Sequence, residues 1–213
     1  MKTDSSDPAQ TARHQMVESQ LRARGIHDPA ILAAFQRVPR HRFLEPEAAD
    51  RAYGDHPLPI GEGQTISQPY IVAFMLQTLQ LRPGESVLEI GAGCGYQTVL
   101  LRQLDLRVCA MEVRPRLAAM ARDHLEALAV DGVDLRVGDG IQGWPEPVFF
   151  DAIVVAAAAD EIPPALESQL APGGRLIMPV GSWQQELVLL EATESGITRR
   201  SLAAVRFVPL QSP

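Results

Sequence analysis

The residues Val87-Leu88-Glu89-Ile90 read as a short buried strand, and glycine then occupies every second position, Gly91, Gly93 and Gly95. An apolar run with helical spacing begins at Tyr96. A strand that breaks into glycines and re-emerges as a helix is the cofactor-binding turn of an α/β fold. Glycine there permits positive φ and lets a ligand approach the backbone without meeting a Cβ. The spacing is G-x-G-x-G. The longer G-x-G-x-x-G seats a pyrophosphate on a helix N-terminus, so the shorter form suits a ligand without phosphate.

The rest of the C-terminal part repeats strand and helix. Strands are predicted over 106–111, 133–137, 150–156 and 175–179, with helices over 96–104, 114–128 and 162–170. The 150–156 segment is continuously apolar, as a doubly buried parallel strand should be. Segments 185–191 and 200–208 flank Ser195-Gly196 and read as an antiparallel pair. The expected fold is α/β: a mostly parallel sheet, antiparallel at its C-terminal end, with helices on both faces.

The N-terminal part reads as a helical lobe. Met16, Val17 and Leu21 share a helical face over 11–24, with Gly25 as the stop. Asp28-Pro29 opens a second helix that Pro39 ends. Residues 40–62 show no sustained period and are expected to be irregular. Gln64-Thr65-Ile66-Ser67 reads as a loop, and a helix follows from Pro69 with Ser67 or Gln68 able to cap it. Residues 1–10 are polar and are expected to be a disordered lead-in. The remainder, 11–213, is expected to be one domain, with a helical lobe over 11–82 and a cofactor-binding core over 83–213.

Composition narrows the function classes. A formal charge of −7 argues against nonspecific nucleic-acid binding, which needs clustered cations. No apolar run approaches the roughly 20 residues that span a bilayer. Cys94 and Cys109 fall in the expected core as free thiols, which suits the reducing cytoplasm. The five histidines have no partners at metal-ligand spacing, so no metal site is expected. The chain has neither a G-x-S-x-G elbow nor a G-x-x-x-x-G-K-[ST] loop.

Three strand ends carry the candidate site. The first is the glycine turn. Glu112 ends the next strand about 20 residues on, where a carboxylate can accept both hydroxyls of a ribose. Asp139, between Gly138 and Gly140, follows the third strand, although an Asp-Gly turn explains it equally. Such ends converge on the crevice where open α/β sheets bind ligands. Gln64, Thr65, Ile66 and Ser67 offer hydroxyl and backbone donors to a carboxylate or a cofactor tail, and a helix cap explains Ser67 as well. Trp144 and Trp183 follow strand ends and are candidates to border a pocket.

The chain resembles the protein-L-isoaspartate O-methyltransferases. The likeness rests on Gly63-Gln64-Thr65-Ile66-Ser67-Gln68-Pro69-Tyr70 and on Val87-Leu88-Glu89-Ile90-Gly91 with Gly93 and Gly95-Tyr96-Gln97-Thr98. It continues through Gly138-Asp139-Gly140, Glu161-Ile162-Pro163 and Val205-Arg206-Phe207-Val208-Pro209-Leu210, and covers about residues 15–210. The resemblance implies a Rossmann-like class I methyltransferase sheet that uses S-adenosyl-L-methionine and leaves S-adenosyl-L-homocysteine. It implies methylation of the free α-carboxylate of L-isoaspartyl residues in damaged proteins and peptides, with another peptide or small-molecule carboxylate as the alternative acceptor. It puts Gly91, Gly93 and Gly95 beside the methionine part, Glu112 on the ribose, and Asp139 with Gly140 at the adenine. Thr65, Ile66 and Ser67 cover the donor and face the substrate carboxylate, Gln64 joins them as a donor-binding residue, and Ser67 is also the active-site residue. A cytoplasmic monomer is expected. Cys94, Ala156 and Gln211 stand where relatives commonly carry other residues.

Overall fold

The computed structural model describes residues 7–212. The chain enters through α1 (Pro8–Met16), whose first turn is capped by the Asp7 carboxylate accepting from Ala9 N at 3.0 Å. Helix therefore begins three residues inside the expected lead-in, because Asp7-Pro8 is itself a cap followed by proline at the first helical position. Residues 1–6, the rest of that lead-in, lie outside the described residues. The helix continues through a π turn at Val17–Leu21 and a tight turn at Arg22–Arg24, and Gly25 stops it at φ +92°. Helix α2 (Pro29–Arg37) is capped by Asp28, which accepts from Ala30 N and Ile31 N.

The segment expected to be irregular holds more order than its sequence shows. It contains α3 (Pro46–Ala49) and a two-stranded ribbon, β1 (Leu58–Gly61) paired antiparallel with β2 (Gln64–Ile66). Strands of three or four residues are too short to display a period, and Pro59 masks the first one. Helix α4 (Pro69–Thr78) follows at once.

The core is one seven-stranded sheet. Its strands are β3 (Ser86–Ile90), β4 (Arg107–Glu112), β5 (Val133–Val137), β6 (Phe150–Val155), β7 (Leu170–Val180), β8 (Gln185–Thr193) and β9 (Gly196–Val205). Their spatial order is β5-β4-β3-β6-β7-β8-β9. Strands β3 to β7 are mutually parallel, and β8 is antiparallel to both neighbours. The chain steps outward from β3 to β5 and then returns to β6 on the other side of β3. That reversal opens a crevice at the carboxyl ends of β3 and β6.

Alternation along β3 divides the core. Val87 packs toward α2, α4, α5 (Tyr96–Gln103) and α6 (Pro115–Ala127), while Leu88 and Ile90 pack on the opposite face. That second face is covered more thinly, by Trp144 and by α7 (Pro164–Ser168) through Leu166. Strand β7 runs through Pro172-Gly173-Gly174, ahead of the expected strand over 175–179, with a register shift against β6. Among the described residues no helix is long and apolar enough to cross a membrane.

The start of α4 is held from a distance. Gln68 stands at its cap position without a side-chain bond, and Asp55 Oδ1 accepts from Tyr70 N at 3.0 Å instead. The other Asp55 oxygen pairs with Arg24, whose guanidinium lies 3.5 Å above the Tyr70 ring. Truncating a capping carboxylate costs about 0.5–2 kcal/mol. Asp55→Ala is therefore expected to lower the unfolding free energy by about that amount, read from the midpoint of urea denaturation at unchanged slope.

Candidate active site

The crevice is built where β3 and β4 end. Gly91 N and Ala92 N both donate to the Met111 carbonyl, at 2.8 and 3.1 Å. Glu112, the last residue of β4, then reaches back: its Oε2 accepts from Gly93 N at 2.9 Å and its Oε1 from Arg114 N at 3.0 Å. The turn is thus pinned to the neighbouring strand by one carbonyl and one carboxylate. Gly95 begins α5 at φ +85°, and a Cβ there would lie 3.2 Å from the Ala121 Cβ on α6. The third glycine is required both by its backbone conformation and by the close approach of α6.

These elements enclose a cleft with about 800 Å³ of empty space, including its open mouth. Gly91, Gly93 and Glu112 line it, as the sequence led us to expect, and so do Gln64, Thr65, Ile66 and Ser67. The β1–β2 ribbon lays those four residues along the cleft, with Ile60 of β1 beside them. Gly95 lies behind the wall at the start of α5. Gly138 and Gly140 line the far side, where a Cβ on Gly140 would fall 2.2 Å from Ile90 Cγ2.

Asp139 is not among the lining residues. Its Oδ1 accepts from Ile141 N at 2.9 Å, capping the short turn Gly140–Gln142, and its Oδ2 accepts from the Ser212 hydroxyl at 2.8 Å. In this geometry it shapes the wall that Gly138 and Gly140 present. Neither tryptophan borders the cleft: Trp144 is buried against Phe150, and Trp183 stands fully exposed in the β7–β8 connection. Of the described residues, no group of three or more His, Cys, Asp or Glu is arranged to hold a metal.

Three parts of the site were not assigned from sequence. Glu89 of β3 lines the cleft and is completely buried. Val208, Pro209, Leu210 and Gln211 form a strap across it. The strap is tied down by Leu210 N to Ala158 O, by Arg114 to Gln211 and by Ser212 to Asp139. Finally, a second groove opens beside the cleft, lined by Arg24, Tyr70, Phe74 and the 203–208 segment. Thr65, Ser67, Ala156 and Val208 line both spaces. The mostly small and apolar residues of 203–208 were visible in the sequence, but their partner surface, Arg24, Tyr70 and Phe74, lies far earlier in the chain.

The cleft's charges select its ligand. It presents two carboxyl groups, Glu89 and Glu112, and one cationic side chain, Arg114, which is engaged by Gln211 and Glu62. Its remaining walls include Ile90, Met111, Val113 and Leu117. Acceptors for hydroxyls, apolar walls and no free cation among the described residues that line the cleft fit a nucleoside-like, cationic or neutral ligand and oppose a pyrophosphate. Ser67 itself is free of the capping duty, since Asp55 holds α4, and its hydroxyl makes no hydrogen bond among the described residues.

Known proteins share this arrangement. The sequence profile of the protein-L-isoaspartate(D-aspartate) O-methyltransferases matches residues 11–213. A protein-L-isoaspartate O-methyltransferase of Picosynechococcus is 50% identical over 206 residues, covering 97% of this chain and 93% of the relative. One from Methylorubrum populi is 54% identical over 202 residues, covering 93% and 94%. A solved Plasmodium falciparum chain, assigned to the same activity and bound to S-adenosyl-L-homocysteine, superposes with a TM-score of 0.83 at 28% identity, covering 94% of this chain and 99% of that one. With nearly its whole length matched by profile, by relatives and by fold, the chain belongs to the protein-L-isoaspartate(D-aspartate) O-methyltransferase family.

Proposed function

We propose that this protein transfers a methyl group from S-adenosyl-L-methionine to the free α-carboxylate of L-isoaspartyl residues in damaged proteins and peptides, and so initiates repair through a succinimide. One observation carries the reading: Ser67 sits at the junction of two spaces, the phosphate-free cleft and the adjoining groove. One space suits the donor and the other an extended peptide. When bound, the donor supplies an electrophilic methyl on a sulfonium that leaves as a neutral thioether.

The residues divide the work as follows. The Gly91–Gly95 turn offers close backbone approach to the methionine part. Glu112 accepts the ribose hydroxyls with the lone pairs that Gly93 N and Arg114 N leave over. Gly140 forms the adenine wall, with Asp139 holding that turn in place through Ile141 N. Gln64, Thr65 and Ile66 close the cleft from the ribbon. The lobe of 11–82 and the core of 83–213 act as one domain, since the cleft takes its walls from both.

The acceptor carboxylate has a reference pKa of about 3.9 and is ionised at neutral pH. It needs no general base. The protein's task is to align oxygen, methyl and sulfur and to remove water, and alignment of this kind can lower a barrier by roughly 7–11 kcal/mol. Ile60, Ile66 and Val72 supply the apolar lining. Ser67 donates one hydrogen bond to the carboxylate, which orients it without neutralising it. Arg24, a cation lining the groove, is already paired with Asp55 and stacked on Tyr70. A tight ion pair with the acceptor would blunt its nucleophilicity, and the pairing of Arg24 with Asp55 opposes one at that end of the groove, while Arg206 lines the groove as well.

Methylation of a paired set of peptides tests the reading. The isoaspartyl peptide is expected to accept methyl groups and the matching aspartyl peptide to accept none, whereas equal rates on both overturn the assignment. A hydrogen bond to a charged group contributes about 1.5–3 kcal/mol. Ser67→Ala is therefore expected to lower kcat/KM for the isoaspartyl peptide by about 10- to 100-fold with donor affinity retained. Glu112→Gln is expected to do the reverse, weakening donor binding by about 10- to 100-fold in a calorimetric titration.

A further inference from the structure

Phe207 leads into the strap that the groove and the cleft share, and one side chain of β8 grips its backbone. Strands β8 and β9 pair from Thr193 and Gly196 as far as Gln185 and Val205, where the ladder stops. The half-buried Gln185 carboxamide reaches past that last pair. Its Nε2 donates to the Phe207 carbonyl at 3.2 Å, and its Oε1 accepts from Phe207 N at 2.7 Å. Hydrogen-bonded residues facing each other in an antiparallel pair exchange one N–H and one C=O each. The carboxamide offers the same two groups, so it stands in for a strand residue that β8 lacks. Phe207 presents one donor and one acceptor, which admits only one orientation of the amide.

The next residue is held from the other side. The Val208 carbonyl accepts from Ala158 N at 2.8 Å, and Leu210 N donates back to Ala158 O at 2.6 Å. Ala158 is itself anchored to the end of β7. Its neighbour Ala159 bridges to Val180, and the Ala159 carbonyl accepts from Gly181 N at 2.8 Å. Gly181 begins the connection that delivers Gln185. The contacts therefore close a ring: Ala158 and Ala159, the end of β7, Gln185, Phe207, Val208, and Ala158 again. Within that ring the Gln185–Phe207 link is the only one made by a side chain.

What the ring holds is a wall of both spaces. Phe207 lines the groove, Pro209, Leu210 and Gln211 line the cleft, and Val208 lines the two together. Gln185 lines neither. We propose that Gln185 is a positioning residue for methyl transfer, setting the 207–208 backbone and with it the wall common to donor and acceptor. This rests on the reading of the cleft as the donor site and of the groove as the acceptor site. Gln185 touches no reacting atom and acts only through where it holds Phe207.

The strap's ties predict which half of the reaction suffers when this one is cut. Its cleft end keeps the Ala158 bonds, the bond from Arg114 to Gln211 and the bond from Ser212 to Asp139. Its groove end, at Phe207, depends on Gln185. Loss of the carboxamide therefore loosens the acceptor side of the wall and leaves the donor side tied. In-line transfer is sensitive to such a change, since a misplacement of about 1 Å can cost about 100-fold in rate.

Two variants of the full chain test this. Gln185→Leu keeps the bulk and removes both hydrogen bonds, while Gln185→Glu keeps the length and, when ionised, can accept from Phe207 N but cannot donate to its carbonyl. Both are expected to lower kcat/KM for the isoaspartyl peptide by about 10- to 100-fold, with affinity for S-adenosyl-L-homocysteine changed by less than about threefold in calorimetry. Hydrogen exchange supplies the local readout. The Phe207 amide is expected to be protected in the unaltered protein and to lose that protection in Gln185→Leu, while the amides of Leu187 to Leu190 keep theirs. An unchanged kcat/KM in a folded variant overturns the proposal. So does a rate loss that matches a loss of ligand-binding sites, or exchange that rises evenly along β8 and β9, since either marks a role in stability alone. An unprotected Phe207 amide in the unaltered protein overturns it whether or not the variants fold. Failure of the unaltered protein to methylate the isoaspartyl peptide sinks the acceptor reading and this proposal with it, whereas normal methylation by protein and variants alike sinks this proposal only.

Discussion

The Met111 carbonyl and the Glu112 carboxylate hold the glycine turn, and the site depends on that hold. A turn made of G-x-G-x-G has no side chains with which to fix itself. Its first two N–H groups converge on Met111, and its third goes to Glu112. The adjacent strand therefore decides where the backbone lies. Because β4 pairs with β3 in parallel register from Ser86 to Ile90, the two strand ends arrive together and present glycine backbone and carboxylate at one place. A substitution that moved β4 by a fraction of an ångström would displace the turn even with every glycine intact.

How much of this could be read from the sequence depends on how local the cause was. Strand β5 fell within the predicted bounds, and α6 within one residue, because apolar periodicity and helix caps are written in consecutive residues. The glycine turn and Glu112 were legible for the same reason. The β1–β2 ribbon was not, since its order comes from pairing across Gly61-Glu62-Gly63, and it is what carries Ile60 and Gln64 to Ile66 to the cleft. The strap of 208–211 was equally opaque. Its residues are unremarkable in themselves, and only the return of β9 beside the sheet brings them over the cleft. Asp139 shows the opposite limit: the residue is in the right turn, but its carboxylate is committed to Ile141 and Ser212.

Ser67 illustrates how a fold leaves a hydroxyl unengaged at a cleft wall. From sequence, a serine two residues before proline at a helix start is as good a cap as a site residue. The structure separates the two roles by importing Asp55 from the preceding segment to satisfy the α4 backbone. The same carboxylate binds Arg24, and Tyr70 provides the surface on which that guanidinium rests. Helix cap, ion pair and aromatic face form one unit at the mouth of the groove. With that unit holding α4, the Ser67 hydroxyl makes no hydrogen bond among the described residues.

The same economy applies to charge. The cleft carries two acids, and their surroundings differ. Glu112 accepts from two backbone N–H groups, those of Gly93 and Arg114. Glu89 has only neutral partners and no exposure, and burial pushes its carboxyl up to about 8. One acid anchors the turn, and the other ties β3 to the first turn of α5. They differ in what accepts or donates at their oxygens, and both stand within the same strand–turn–strand unit.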